Sequence, residues 1–415
     1  MTLDRRTLIH SAVGAAALTA AAPRFSFAAT PGDRRFIVIV MRGALDGLAA
    51  VPPHGDPDYA RARGALALPK DAILNLDGAY GLNAKLPTFK ALYDQKQLAI
   101  VHAVASPYRE RSHFDGQNVI ETGTARVMPT SDGWLNRALG PAGVTDPKRA
   151  LAVAQSIPVI LQGQRPVTSW MPPQLPSVDD DFIMRLKAMY ARDPQLRSAL
   201  DRALEVGAVA GAAGNGDMQS NAQQMRGARG YRFEPLAKMA ANIIAAQDGP
   251  RIAVMEVGGW DTHQGQGTTQ GVLAFLLDNL DKGVKAIRET LGPVWDRTTI
   301  LFFTEFGRTV APNGSLGTDH GTASVAFIAG GAVNGGRVLG NWPGLKPSSL
   351  YEGRDLAPTT DLRALFKGVL ADHMRLARNE VEGIFPDSGN ISPLNGLIRA
   401  SSRQKNPSWP GQARP

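Results

Sequence analysis

The sequence predicts an α/β fold, a central and mostly parallel sheet with helices on both faces. Three observations predict it. Short apolar runs of strand length recur along the chain: Phe36 to Met41, Leu98 to Val104, Arg251 to Val257 and Ile300 to Phe303. Such unbroken runs suit strands buried on both faces. Amphipathic helical stretches separate them. Polar clusters follow the runs directly, at the carboxyl ends of strands, where open α/β sheets gather ligands. With 415 residues, 43% of them hydrophobic, the chain has ample material for a large core in one elaborated domain or two.

The first residues read as an export signal and not as part of the fold. Arg5 and Arg6 precede an apolar, Ala-rich stretch from Leu8 to Ala22, and Ser26-Phe27-Ala28 offers small residues for cleavage before Ala29. The expectation is a twin-arginine signal over 1–28, a mature domain over 29–398 and a flexible tail over 399–415. The protein would then be periplasmic or secreted, with the twin-arginine export machinery as a partner. The apolar stretch is shorter than the ~20 residues a membrane span needs, and no later segment qualifies, so no stable span is expected. Formal net charge is +8; removing 1–28 takes away three arginines and one aspartate and leaves +6. The excess basic residues are scattered and have no interleaved aromatics, which argues against nucleic-acid binding and suits anionic substrates. Cysteine is absent, so an exported chain must be held by its core or by a metal.

In chain order, the Phe36 strand leads into Asp46, a turn residue or a strand-end ligand. Residues 51–84 read as a long surface loop. Pro87 opens a short helix to Gln97, and Leu98 begins the second strand. Ser112 stands either as the cap of a helix ending at Gly123 or as a nucleophile at that helix start. Leu151 to Ala154 reads as a strand. Residues 155–250 read as a mainly helical insertion, with helices over Phe182–Ala191, Pro194–Val206 and Glu234–Gln247 and a Gly/Ala-rich linker over 207–217. Thr268 to Leu291 is a strongly amphipathic helix with Phe275 among its inward residues. Ser324 to Ala329 continues the sheet. Thr360 caps a last helix, Asp361 to Asp372, and His373 at its end reads as a helix-terminus cation or a solvated group.

Chemistry-bearing residues concentrate after the strands. His113, His263 and His320 each sit beside an acid or a hydroxyl. Asp261 and His263 are two apart, so an extended turn lets both reach one ion; Asp319-His320 supplies a second pair, and Glu305 a further carboxylate. Mixed His and carboxylate donors without Cys suit a divalent metal such as Zn, Mn or Ca, one or two ions. Arg42, Arg109, Arg111 and Arg308 lie near the proposed ligands and are candidates for holding the oxygens of an anionic ester.

The motifs RGALDGL (42–48), SHFDGQ (112–117), GGWDTHQGQ (258–266), TEFGRT (304–309), NGSLGTDHG (313–321) and TTDLRALF (359–366) carry a resemblance. The chain resembles the secreted bacterial family known as domain of unknown function 1501, in the alkaline-phosphatase-like and sulfatase-like superfamily. The resemblance implies an alkaline-phosphatase-like, doubly wound sheet and a metal-dependent hydrolase of phosphate or sulfate esters, acting on an anionic small molecule or a glycan ester. Together with the residue reading above, it gives expected metal ligands at Asp46, Asp261, His263, Glu305, Asp319 and His320. Phe306 stands where the superfamily has a His, which leaves His320 to replace it. Counting back from Gly123 leaves open whether Ser112 attacks, His113 attacks or binds metal, or water attacks; Arg308 is the candidate oxyanion holder. The alternative is a non-catalytic binding or assembly protein on the same fold.

Overall fold

The computed structural model describes residues 33–172, 180–213, 226–227 and 230–399. The expected signal over 1–28, most of the expected tail and residues 214–217 of the expected linker therefore lie outside the described residues. From Arg34 onward the described chain is one compact unit built on a nine-stranded sheet.

The strands are β1 (Arg35–Met41), β2 (Leu98–Ala105), β3 (Ala150–Val153), β4 (Thr168–Trp170), β5 (Ile252–Val257), β6 (Thr298–Phe303), β7 (Ser324–Ala329), β8 (Arg337–Leu339) and β9 (Thr360–Asp361). They run in the order β8-β2-β7-β6-β1-β5-β3-β4, and β9 also pairs with β2. β1 is parallel to both β6 and β5, whereas β7 is antiparallel to both β6 and β2. All the other pairings in this sheet are parallel. The expected doubly wound, mostly parallel sheet is thus the observed one. The single reversed strand has a consequence for the site: the amino end of β7 lies on the same edge as the carboxyl ends of its neighbours.

Every residue of β1 is buried, as its unbroken apolar run requires. The two-residue period of a strand divides that run between two cores. Ile37, Ile39 and Met41 join one with helices α1 (Pro87–Asp94), α4 (Phe233–Ala245) and α5 (Val272–Leu291). Phe36, Val38 and Val40 join the other with α3 (Trp134–Leu139) and α6 (Leu362–Asp372). Each Leu, Ile or Phe so removed from water contributes about 1.5–3 kcal/mol before entropy is counted. Helix α2 (His113–Thr122) stops at Gly123, whose φ of 69° is left-handed and suits glycine at a helix end.

Several local expectations change. Residues 51–84 are not a plain surface loop: they hold a short helix (Tyr59–Arg63), a two-stranded ribbon and buried Tyr59, Leu66 and Leu82. Within the expected insertion, β4 joins the main sheet and α4 packs into its core, because Leu236, Ala240, Ile243 and Ile244 face inward. The Gly/Ala-rich stretch continues a helix as far as Ala213. Asp361, not Thr360, caps α6, its side chain accepting from the Arg363 N–H. His373 is neither solvated nor a cation: it is fully buried, and burial lowers its pKa to about 3. Among the described residues no helix is long and apolar enough to cross a membrane.

Candidate metal centre

The cluster lies at the edge where β1, β2, β5 and β6 end and β7 begins. His113 opens α2, after β2. Asp261 and His263 lie on the turn after β5, Glu305 follows β6, and Asp319-His320 precede β7. Gly43, just past β1, allows the turns to meet. Its φ is 112°, and a Cβ there would stand 2.8 Å from the Asp261 backbone nitrogen, so no larger residue fits.

Each histidine is fixed through Nδ1 by a group that only accepts hydrogen bonds. His113 Nδ1 donates to Glu305 Oε1 at 2.8 Å, His320 Nδ1 to the Arg111 carbonyl at 2.8 Å and His263 Nδ1 to Asp319 Oδ1 at 3.3 Å. In the neutral ring the proton is then on Nδ1, and the Nε2 lone pair is left for another partner. The Nε2 atoms turn toward Asp261. His263 Nε2 lies 2.9 Å from Asp261 Oδ1 and His320 Nε2 lies 3.2 Å from it. His113 Nε2 is buried without a hydrogen-bond partner, 3.4 Å from Asp261 Oδ2. Ligand atoms of His113, Asp261 and His320 all fall within 4.8 Å of one another. His263 Nε2 and His320 Nε2 face each other at 3.1 Å. Two lone pairs at that distance repel unless a proton or a cation lies between them. An orphaned nitrogen, two opposed lone pairs and a carboxylate make a donor set that fits a divalent ion.

The surroundings set the charges. Glu305 is fully buried; burial alone would raise its pKa, but hydrogen bonds from His113, Gln117 and the Gly43 N–H override it and hold the carboxyl below the usual range. That carboxylate in turn raises the His113 pKa above the ordinary imidazole value. Burial lowers that of His320. For Asp261, burial is outweighed by Arg308, whose Nη1 donates to Oδ1 at 2.6 Å, and the carboxyl is held ionised. Asp319 is held low by the Asn313 amide. Phe306 stacks on His113 with ring centroids 4.9 Å apart and tilts against His320 at 5.1 Å. Phe306 is thus a platform for two of the histidines.

The structure thus brings His113, Asp261, His263 and His320 together. Glu305 and Asp319 stand behind two of them, each holding a ring. Asp46 is not among them. It is buried and ion-paired with Arg63 at 2.5 Å; Gln266 donates to the same oxygen, and the Ala49 N–H to the other. With both oxygens occupied, it is a helix cap and a buried charge partner, which corrects its expected role as a metal ligand. Arg308 is itself buried and bonded to Asp261 and Thr318; it fixes the Asp261 carboxylate, and its guanidinium is not displayed for an oxyanion. Arg42, Arg109 and Arg111 are likewise engaged, with Glu121 and Glu256, with backbone carbonyls, and with Glu352 and Asp355. Ser112 holds the N-cap position of α2, and its side chain makes no capping bond. Sequence reading missed the Arg111 carbonyl, Gln117 and Asn313 as supports. For Gln117 a signal existed: it lies one helical turn after His113.

A family model described as a protein of unknown function (DUF1501) matches residues 83–385. The chain belongs to this family. No curated protein matches the sequence. Among solved structures, the C-terminal periplasmic domain of EcEptC from Escherichia coli, in complex with Zn, is similar at 10% identity and a TM-score of 0.35, over 71% of this chain and 72% of that one. The phosphonate monoester hydrolase of Agrobacterium radiobacter is similar at 12% identity and a TM-score of 0.34, over 83% and 74%. The PsFucS1 sulfatase from Pseudoalteromonas sp. is similar at 12% identity and a TM-score of 0.33, over 74% of this chain and 64% of that one.

Proposed function

We propose that the chain binds one divalent metal ion through His113, Asp261, His263 and His320, and hydrolyses phosphate or sulfate esters with it. The observation that carries the metal is the convergence of Nε2 atoms whose rings are all fixed through Nδ1. The reaction class comes from the motif resemblance. Three imidazoles and one carboxylate suit zinc or manganese better than calcium, which takes oxygen ligands. Bound there, the ion would polarise an ester oxygen and stabilise charge developing on it. Glu305 and Asp319 keep the proton of their histidine on Nδ1, so that Nε2 stays available. Arg308 fixes the Asp261 carboxylate. Ser112, beside His113 at the start of α2, is the proposed nucleophile.

Elemental analysis of the purified protein and a panel of aryl phosphate mono- and diesters and aryl sulfates test this reading. The expected result is one equivalent of metal per chain and turnover of at least one ester. Ser112→Ala keeps the metal and loses turnover; if turnover survives, water attacks instead. Metal without turnover of any ester would favour a binding or assembly role. We also propose that the chain is exported by the twin-arginine route, and expect replacement of Arg5 and Arg6 by Lys to abolish periplasmic yield.

A further inference from the structure

An open cleft of about 960 Å³ is lined by residues next in sequence to the cluster, though not by His113, Asp261, His263 or His320 themselves. Its walls are continuous with two ligand-bearing segments. On one side, Phe114, Gln117, Asn118 and Glu121 line it from α2, which begins at His113. On the other, Gly258 and Gly259 line it just before Asp261. An ester held at the cluster has this cleft beside it for the rest of its molecule.

The lining has two properties. First, it displays apolar surface. Among the described residues eight large hydrophobic side chains are exposed, and three of them line this one cleft: Phe114 at 85%, Met128 at 71% and Phe275 at 40%. Phe275 was expected to face the core; it faces the cleft instead. Exposed apolar side chains scattered singly need no explanation, but a group of them around a concavity marks a binding surface. Second, its charged groups are neutralised or negative. Among the described lining residues only Arg42, Glu121 and Glu256 are ionisable, and Arg42 Nη2 lies 2.8 Å from Glu121 and 2.6 Å from Glu256. One cation against two carboxylates leaves none for a further anion, and a second negative group on the ligand would meet a like charge.

We propose that this cleft seats the body of the substrate, and that this body is uncharged and largely apolar, with the anionic ester as the single charged group. The proposal rests on the hydrolase reading and narrows it: polyanionic chains are excluded, whereas alkyl or aryl esters are admitted, neutral hydroxyls being served by Gln117 and Asn118.

Three phosphonates, which are not hydrolysed, separate the outcomes by calorimetry on the zinc-loaded chain: methylphosphonate, octylphosphonate and 8-phosphonooctanoate, which matches the octyl chain in length but ends in a carboxylate. Octylphosphonate is expected to bind at least about tenfold more tightly than either of the others, since each buried methylene adds to affinity. Phe114→Ser, at an exposed position that folding does not depend on, should narrow the gap between octyl and methyl and leave methylphosphonate unchanged. Glu256→Gln should improve binding of 8-phosphonooctanoate. Equal affinity of the octyl and methyl compounds, or a preference for 8-phosphonooctanoate, overturns the cleft proposal and leaves the hydrolase reading intact. If zinc binds and no phosphonate does, the hydrolase reading falls and the cleft proposal falls with it.

Discussion

Two groups of histidines in this protein experience opposite environments. His102 and His373 are fully buried, and both ring nitrogens of each are engaged. His102 meets the Val51 carbonyl and the Ala103 N–H; His373 meets Thr299 and the Arg35 carbonyl. Burial pushes their pKa values down to about 4 and about 3. His113, His263 and His320 are only partly buried, and each is tied by one nitrogen while the other turns toward Asp261. A histidine with two satisfied nitrogens is a structural hydrogen-bonding unit. A histidine with one fixed nitrogen is an aimed donor. What separates the two groups is the partner at the second nitrogen: a backbone group or a hydroxyl for His102 and His373, one shared carboxylate for His113, His263 and His320.

The largest expected effect comes from breaking the aimed set. His263→Ala should lower metal affinity by more than the ~10–100-fold typical of losing an outer-sphere partner, and abolish ester turnover, with circular dichroism unchanged. Metal content that stays at one equivalent after this change would remove His263 from the ligand set.

A contrast among carboxylates sharpens the comparison. Asp46→Ala should leave metal stoichiometry unchanged but destabilise the chain by about 3–5 kcal/mol in denaturant unfolding, because Arg63 would remain buried without its partner. Loss of metal without loss of stability would return Asp46 to the ligands.

Glu305→Gln is a smaller perturbation. It keeps the shape and removes the charge that holds His113. Metal affinity should fall by about 10–100-fold by equilibrium dialysis. An unchanged affinity would mean that Phe306 and Gln117 suffice to aim the ring.

The smallest effect tests the satisfied set. Below the ordinary histidine pKa of about 6.5 the unfolded chain takes up a proton at position 373, while the folded chain does not until about pH 3. The unfolded state therefore binds more protons in that window, and stability falls as pH falls, by up to about 1.4 kcal/mol per pH unit for this one residue. In metal-free protein, His373→Gln should flatten the pH dependence of stability between pH 6 and 4.5 by that amount. The same slope in both proteins would mean that His373 is protonated in the fold.

Much of the scaffold was legible in the sequence, for a local reason. A buried strand needs an unbroken apolar run and an amphipathic helix needs a 3.6-residue period, so β1, β2, β5, β6 and α5 announce themselves within a few residues. β4 did not, because Thr168–Trp170 is too short to carry a pattern. The residue types at the candidate site were legible for a related reason: polar groups directly after a buried strand fall at one edge of a parallel sheet. That reasoning singled out His113, Asp261, His263, Glu305, Asp319 and His320.

Only the tertiary structure decided what each of them does. His320 precedes a strand, and it reaches the cluster because β7 alone runs backward in the sheet, a fact that no local pattern encodes. Asp46 has the type and the strand-end position of a ligand, yet Arg63, 17 residues later, folds back and occupies it. Arg308 stands among the proposed ligands, and its guanidinium is engaged by Asp261 and Thr318. Phe306 has no donor atom to offer, and it becomes the surface on which two rings rest. In each case the sequence fixes the chemical capacity of a side chain, while its role depends on which partners the fold brings within hydrogen-bonding distance, and those partners are set by packing between segments distant in the chain.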